Sequence, residues 1–170
     1  MKQAAMADRN SRLAEAVALR ERGDATAAMP LLVALAADYP DDPVIQYQAG
    51  WVHDYLGLEA EAVPYYERAL ALGLHEPELE GLVLALGSTY RNLGRTADSL
   101  ALLGRGVHDY PGNEAMRCFL ALSQLSAGNP SEALALAFDV ILATSQSTDI
   151  ARYRRALLAY RDELRGLQTD

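Results

Sequence analysis

The chain has 170 residues, half of them apolar, which is enough for one sizeable core or for four to five units of a repeat. Its formal net charge of −8 excludes an ordinary nucleic-acid binder, which needs clustered Lys and Arg against phosphate. Cys118 is the single cysteine, so no internal disulfide can form, and no run approaches the ~18 apolar residues of a membrane span. Met1 to Asn10 lacks an apolar h-region, so no signal peptide is expected and the cytoplasm is the default location. Ala and Leu dominate, and they lose least on entering a helix. The charge is uneven: residues 1–80 hold 14 acidic and 6 basic side chains, residues 81–170 hold 9 of each. Electrostatic attraction by the first half should therefore select basic partners.

Four glycines organise the chain. Gly23, Gly57, Gly94 and Gly128 each sit between two apolar-periodic stretches, at gaps of 34, 37 and 34 residues. Each is read as a left-handed turn between two helices. Met1 to Arg9 is expected to be frayed or only partly helical. Repeat one, residues 9–42, has Ala16 and Leu19 before its turn, then Ala28, Leu32 and Pro40. Repeat two, 43–79, has Gly50, then Ala62, Tyr66, Ala69 and Leu70. Its extra three residues are placed in the loop Gly73 to Pro77, where Gly and Pro punctuate the sequence. Repeat three, 80–113, has Leu86, Gly87 and Tyr90, then Ser99, Leu103 and Pro111; repeat four, 114–147, has Leu120 and Ala121, then Ala133, Ala137, Val140 and Ile141. Small residues at Gly50, Gly87 and Ala121 should let paired helices approach closely. Pro30 and Pro64 share one register position, early in the second helix, and predict a tolerated bend there. Thr148 or Asp149 should cap a closing helix over 148–167. Its apolar stripe, Ile150, Tyr153, Leu157, Tyr160, Leu164 and Leu167, should face the last hairpin, with Arg152, Arg154, Arg155, Arg161 and Arg165 towards water.

The 34-residue period, with Leu86, Gly87 and Tyr90 followed by Ser99, Leu103 and Pro111, resembles the tetratricopeptide repeat superfamily over nearly the whole chain. The stretches LALGSTYRNLGR from Leu84 and FLALSQLSAGN from Phe119, with Tyr153, Ala156, Leu157 and Tyr160 in the closing helix, resemble small bacterial members of it. The resemblance implies an all-α fold: a right-handed α-solenoid of four hairpins plus a C-terminal capping helix, forming one domain over 1–170. It also implies a protein-interaction scaffold whose concave groove is lined by the first helix of each repeat. The matching positions are Leu13, Val17 and Arg20; Tyr47, Trp51, Asp54 and Tyr55; Leu84, Ser88, Arg91 and Asn92; and Cys118 and Leu122.

Tyr47, Trp51 and Tyr55 lie four residues apart and so share one helical face; rigid aromatics with polar tips are common peptide anchors. They could equally pack against an N-terminal segment or another subunit. Arg91, Asn92 and Ser88 could grip a carboxylate or a peptide backbone, or Arg91 could pair with Asp54. The carboxylate clamp of some superfamily members needs Lys and Asn where this chain has Leu13 with Val17 and Tyr47 with Trp51, so that ligand class is not expected.

Chemistry finds no foothold. His53, His75 and His108 fall in different repeats without a second ligand at metal spacing, and His53 reads as a core residue. Cys118 has no activating neighbour and reads as a small packed side chain. No catalytic residue, metal or cofactor is expected. The predicted function is non-catalytic binding of a protein or peptide segment. Two alternatives are a self-assembling module, in which the acidic repeats meet the basic closing helix, and a small acidic secretion-type chaperone.

Overall fold

The structure, a computed structural model, describes residues 2–166, with side chains from Met6 onward. These residues form α1 (Lys2–Glu21), α2 (Ala25–Asp38), α3 (Pro43–Tyr55), α4 (Glu59–Ala71), α5 (Glu78–Asn92), α6 (Thr96–Asp109), α7 (Glu114–Ser126), α8 (Pro130–Thr144) and α9 (Thr148–Leu164). Among the described residues there is no strand. The chain divides into two compact units, residues 1–89 and 90–170, with the boundary inside α5.

The turn glycines behave alike. Gly23, Gly57, Gly94 and Gly128 all have φ between 76° and 84°, which L side chains rarely adopt. At each, the glycine N–H and the next N–H return to carbonyls of the last helical turn, as in Gly57 to Asp54 at 2.9 Å and Leu58 to His53 at 2.9 Å. This double bond satisfies carbonyls that the helix end would otherwise leave open. Helix starts are equally local. Asp24 accepts from the Ala27 N–H, Asp42 from those of Val44 and Ile45, and Asn113 from that of Met116.

In the N-terminal unit, α2 packs on α1 and α3, and α3 on α4. Ala16, Ala28, Leu32, Leu35, Ile45, Ala49 and Val52 form a buried cluster. Gly50 earns its place here. A Cβ built on it would stand 2.6 Å from the ring of Tyr66, so only glycine lets α3 come this close to α4. In the C-terminal unit, α6 packs on α7, α7 on α8 and α8 on α9. Its interior holds Leu102, Leu103, Met116, Leu120, Leu136 and Leu142, and a buried hydroxyl pair, Ser99 and Ser123, bonded at 2.7 Å. α2 and α4 continue through Pro30 and Pro64, both of which face solvent.

Several expectations need correction. The described residues 2–9 are helical, α1 beginning at Lys2, and the helix is tied down where the Arg9 guanidinium grips the Asp42 carboxylate through Nε at 2.8 Å and Nη2 at 2.9 Å, and where Arg12 reaches Asp38 at 2.7 Å. The extra length of repeat two falls mainly in the expected loop, Gly73 to Pro77, and partly at the start of α5. The α4–α5 connection is 72–77, but α5 starts at Glu78, two residues before the expected boundary, and Leu74 is buried within the loop. The residue preceding α9 is Ser147, without a side-chain cap, instead of Thr148 or Asp149.

The closing helix also docks differently. Its apolar stripe is covered only in part: Ile150, Leu157 and Leu164 are half-buried, Tyr153 and Tyr160 are exposed, and no residue of α9 is fully buried. Its arginines do not all face water: Arg161 pairs with Asp139 at 3.1 Å, Arg165 with Asp139 at 2.6 Å and with Glu132 at 3.2 Å, and Arg154 donates to the Leu142 carbonyl at 2.7 Å. α8 offers carboxylates and open end carbonyls, which guanidinium forks satisfy as its apolar face could not. Leu167, the last member of the expected stripe, lies outside the described residues.

Candidate functional site

The aromatic row on α3 resolves into two parts. Trp51 and Tyr55 stack, with ring centroids 4.9 Å apart and planes 13° from parallel. The Arg20 guanidinium of α1 lies 4.6 Å from the Trp51 ring centre, steered there by a 2.6 Å bond from Nη1 to Gln48 Oε1 and by Glu21 at 3.5 Å. A cation over an indole face is attracted by the ring quadrupole. Trp51 is half-buried and touches the core cluster, whereas Tyr55 is 60% exposed. Tyr47 turns elsewhere. Its ring lies 6.2 Å from that of Tyr66, and its hydroxyl fills the space beside Gly81, where a Cβ would come within 2.9 Å. Burial pushes the Tyr47 phenol up, against the lowering effect of Arg20, and Glu78 adds to the rise. Tyr47 is a wedge between helices of this unit more than an open anchor.

Asp54 sits one residue before Tyr55 and is half-buried. Its carboxylate accepts from Thr89 Oγ1 at 3.1 Å and from the Tyr66 hydroxyl at 3.4 Å. Burial raises the Asp54 carboxyl above its ordinary value, the two hydroxyls pull it back, and the charge of Glu59 raises it further. The Tyr66 phenol is pushed far up by its own burial and then by Asp54. Thr89, Gln48 and Tyr66 are the partners that sequence reasoning did not attach to the site. Thr89 lies 35 residues from Asp54, so no local pattern links them.

The remaining expected positions scatter. Leu13 packs against the core cluster, and Val17, Leu84 and Ser88 are half-buried. In the C-terminal unit the Arg91 Nη2 donates to Asn92 Oδ1 at 2.6 Å, so this pair grips itself, while Arg91 Nε is buried without a hydrogen-bond partner. Cys118 is exposed on α7, not packed, and shares its face with Leu122 and Leu125, which are 43% and 57% exposed. That face looks away from Met116, Leu120 and Ser123, the residues α7 buries. His53 is the core residue expected, with Nδ1 2.7 Å from the Ala49 carbonyl and its ring stacked on Tyr65. Among the described residues no three His, Cys, Asp or Glu side chains are placed to hold a metal, and no helix is long and apolar enough to cross a membrane.

An all-α series of glycine-hinged hairpins with small residues at the helix crossings defines a helical repeat protein, and the chain belongs to the tetratricopeptide repeat family. Residues 43–164 match the family described as "Tetratrico peptide repeat". No curated protein matches the chain. Among solved structures the fold is similar to a MamA RS-1 ArsTM double mutant, at 18% identity and TM-score 0.67 over 93% of this chain and 94% of that one. It is also similar to MamA 41-end from Desulfovibrio magneticus RS-1, at 16% identity and TM-score 0.70 over 94% of each chain. A third, YrrB, a TPR protein with an unusual peptide-binding site, has 14% identity and TM-score 0.61 over 91% of this chain and 85% of its own. These likenesses establish the fold. Proteins of this family generally serve as interaction scaffolds, not as enzymes.

Proposed function

We propose that the chain is a non-catalytic scaffold that binds a protein or peptide segment on the N-terminal unit, along the face carrying Arg20, Trp51, Asp54 and Tyr55. The observation behind this is the Tyr55 ring, largely exposed yet fixed by stacking on Trp51, which Arg20 and the core hold still. A large ring ordered before binding loses little entropy on contact, and such residues dominate interface energetics. The peptide-binding description of YrrB, a protein of the same fold, supports the reading. Val17, Leu84 and Ser88 would flank the segment, and Cys118, Leu122, Arg91 and Asn92 would serve as a separate contact patch on the C-terminal unit.

Tyr55→Ala tests this better than Trp51→Ala, because Trp51 also packs against the core. Capture of a native partner from lysate should fall at least tenfold with unchanged helical circular dichroism. Undiminished capture would remove Tyr55 from the site.

A second reading, self-association, is supported by the surface of α8 and α9. There Leu134, Phe138, Tyr160 and Leu164, with Ser131 and Glu163, line an open groove of about 460 Å³. A monomeric mass in light scattering at micromolar concentration would count against it.

A further inference from the structure

We propose that the aromatic face of the N-terminal unit takes an arginine- or lysine-bearing segment, with ligand cations drawn to the Asp54 carboxylate and the Tyr55 ring. This rests on the reading above that the face binds a segment.

Three independent observations carry it. The first is charge. Residues 81–89 hold no ionisable charge, so the N-terminal unit contains the full excess of 14 acidic over 6 basic side chains. Around the face itself, Glu59 acts on Asp54 and Glu21 lies beside Arg20, which is itself a cation held on the face. An acidic segment would meet these carboxylates; a basic one is attracted by them.

The second is that the face already holds a guanidinium. Arg20 lies over Trp51 at 4.6 Å, which shows that this ring row accepts a cation on its π-face. Tyr55 continues the stack one turn further and presents its ring to solvent. An incoming arginine on Tyr55 would repeat the contact that the chain makes within itself.

The third is Asp54. Among the described residues its half-buried carboxylate faces two hydroxyls and no cation, and the single Thr89 proton is shared with the Ala85 carbonyl at 2.8 Å. A carboxylate withdrawn from water in this way gains most from a charged donor, because charge-assisted bonds are the strong ones. A ligand guanidinium or ammonium supplies that donor, and a neutral segment does not.

The test uses the full chain and its single tryptophan, Trp51, as the reporter. Three capped seven-residue probes of alternating glycine and a variable residue are titrated while Trp51 emission is followed: one with arginine, one with the uncharged isostere citrulline, one with glutamate. The arginine probe should shift the emission and bind at least tenfold tighter than the citrulline probe, with no response to glutamate. Asp54→Asn should bring arginine binding down about tenfold, towards the citrulline level. Tyr55→Leu, which keeps an apolar surface but removes the ring, should weaken arginine more than citrulline. Glu15→Gln, an exposed acid elsewhere on α1, should change arginine binding less than twofold. A citrulline probe that binds as well as the arginine probe overturns the cation preference and leaves segment binding standing. Silence of Trp51 towards all three overturns both readings, and Glu15→Gln as damaging as Asp54→Asn reduces the effect to bulk charge and overturns the site.

Discussion

The two units repeat one hairpin plan but seal it by different means. In the N-terminal unit, Ala28, Leu32 and Leu35 of α2 and Ala62, Tyr66 and Ala69 of α4 are all buried. At the same register of α8, Ala133, Ala137 and Val140 stay half-buried. The helix facing α8, α9, has no fully buried side chain; its Leu157, Leu158 and Leu164 are half-buried, and its Arg161 and Arg165 pair with Asp139 and Glu132. One unit is closed by fully buried apolar packing, the end of the other by half-buried leucines and partly exposed ion pairs. Apolar closure is the stronger per residue, since partly exposed pairs are screened and solvated.

That comparison can be broken at three points. Tyr66→Ala gives α4 the residue that α8 has at this register. It should cost about 3–5 kcal/mol, as emptying a packed aromatic site does, and lower the thermal midpoint of the whole chain. A loss near zero would mean that the N-terminal unit is no better sealed than α8. Asp139→Asn removes the charge shared by Arg161 and Arg165, and one of the two oxygens that accept from them, and should cost about 1 kcal/mol, the scale of a partly exposed network. The visible effect should be faster amide exchange confined to α9; equal acceleration in α3 would show that the units do not differ as stated.

Asp54→Asn gives the smallest effect at neutral pH and the most informative pH dependence. The folded chain holds the Asp54 proton more tightly than the unfolded chain, because burial raises this carboxyl. Its contribution is therefore complete below the ordinary carboxyl value and is lost as pH rises through the raised folded value. The asparagine variant should gain on the parent protein between pH 4 and pH 7 in denaturant unfolding. A constant difference across that range would show that Asp54 titrates normally and is not desolvated.

Much of the fold was legible because its signals are local. A glycine with positive φ, an Asp or Asn at a helix start, and an apolar period near 3.6 each need only a few neighbouring residues. Gly23, Gly57, Gly94 and Gly128 could be placed from the sequence for that reason. The site was half legible. The spacing of Tyr47, Trp51 and Tyr55 put them on one helix, but their different fates depend on Gly81, Tyr66 and Arg20, which are distant in sequence. The anchoring of α1 at Arg9 rests on Asp42, 33 residues away. Cys118 was misjudged because composition says that a lone cysteine packs, while the helix face it shares with Leu122 and Leu125 is open.

The sequence by itself determined the helical hairpins, their period and their hinges, since backbone conformation and amphipathic spacing are properties of short stretches. Only tertiary structure decided which aromatic stays exposed, which carboxylate is left with hydroxyls alone and how the closing helix is held. Those outcomes depend on distances between side chains on separate helices, and the packing of the chain sets them.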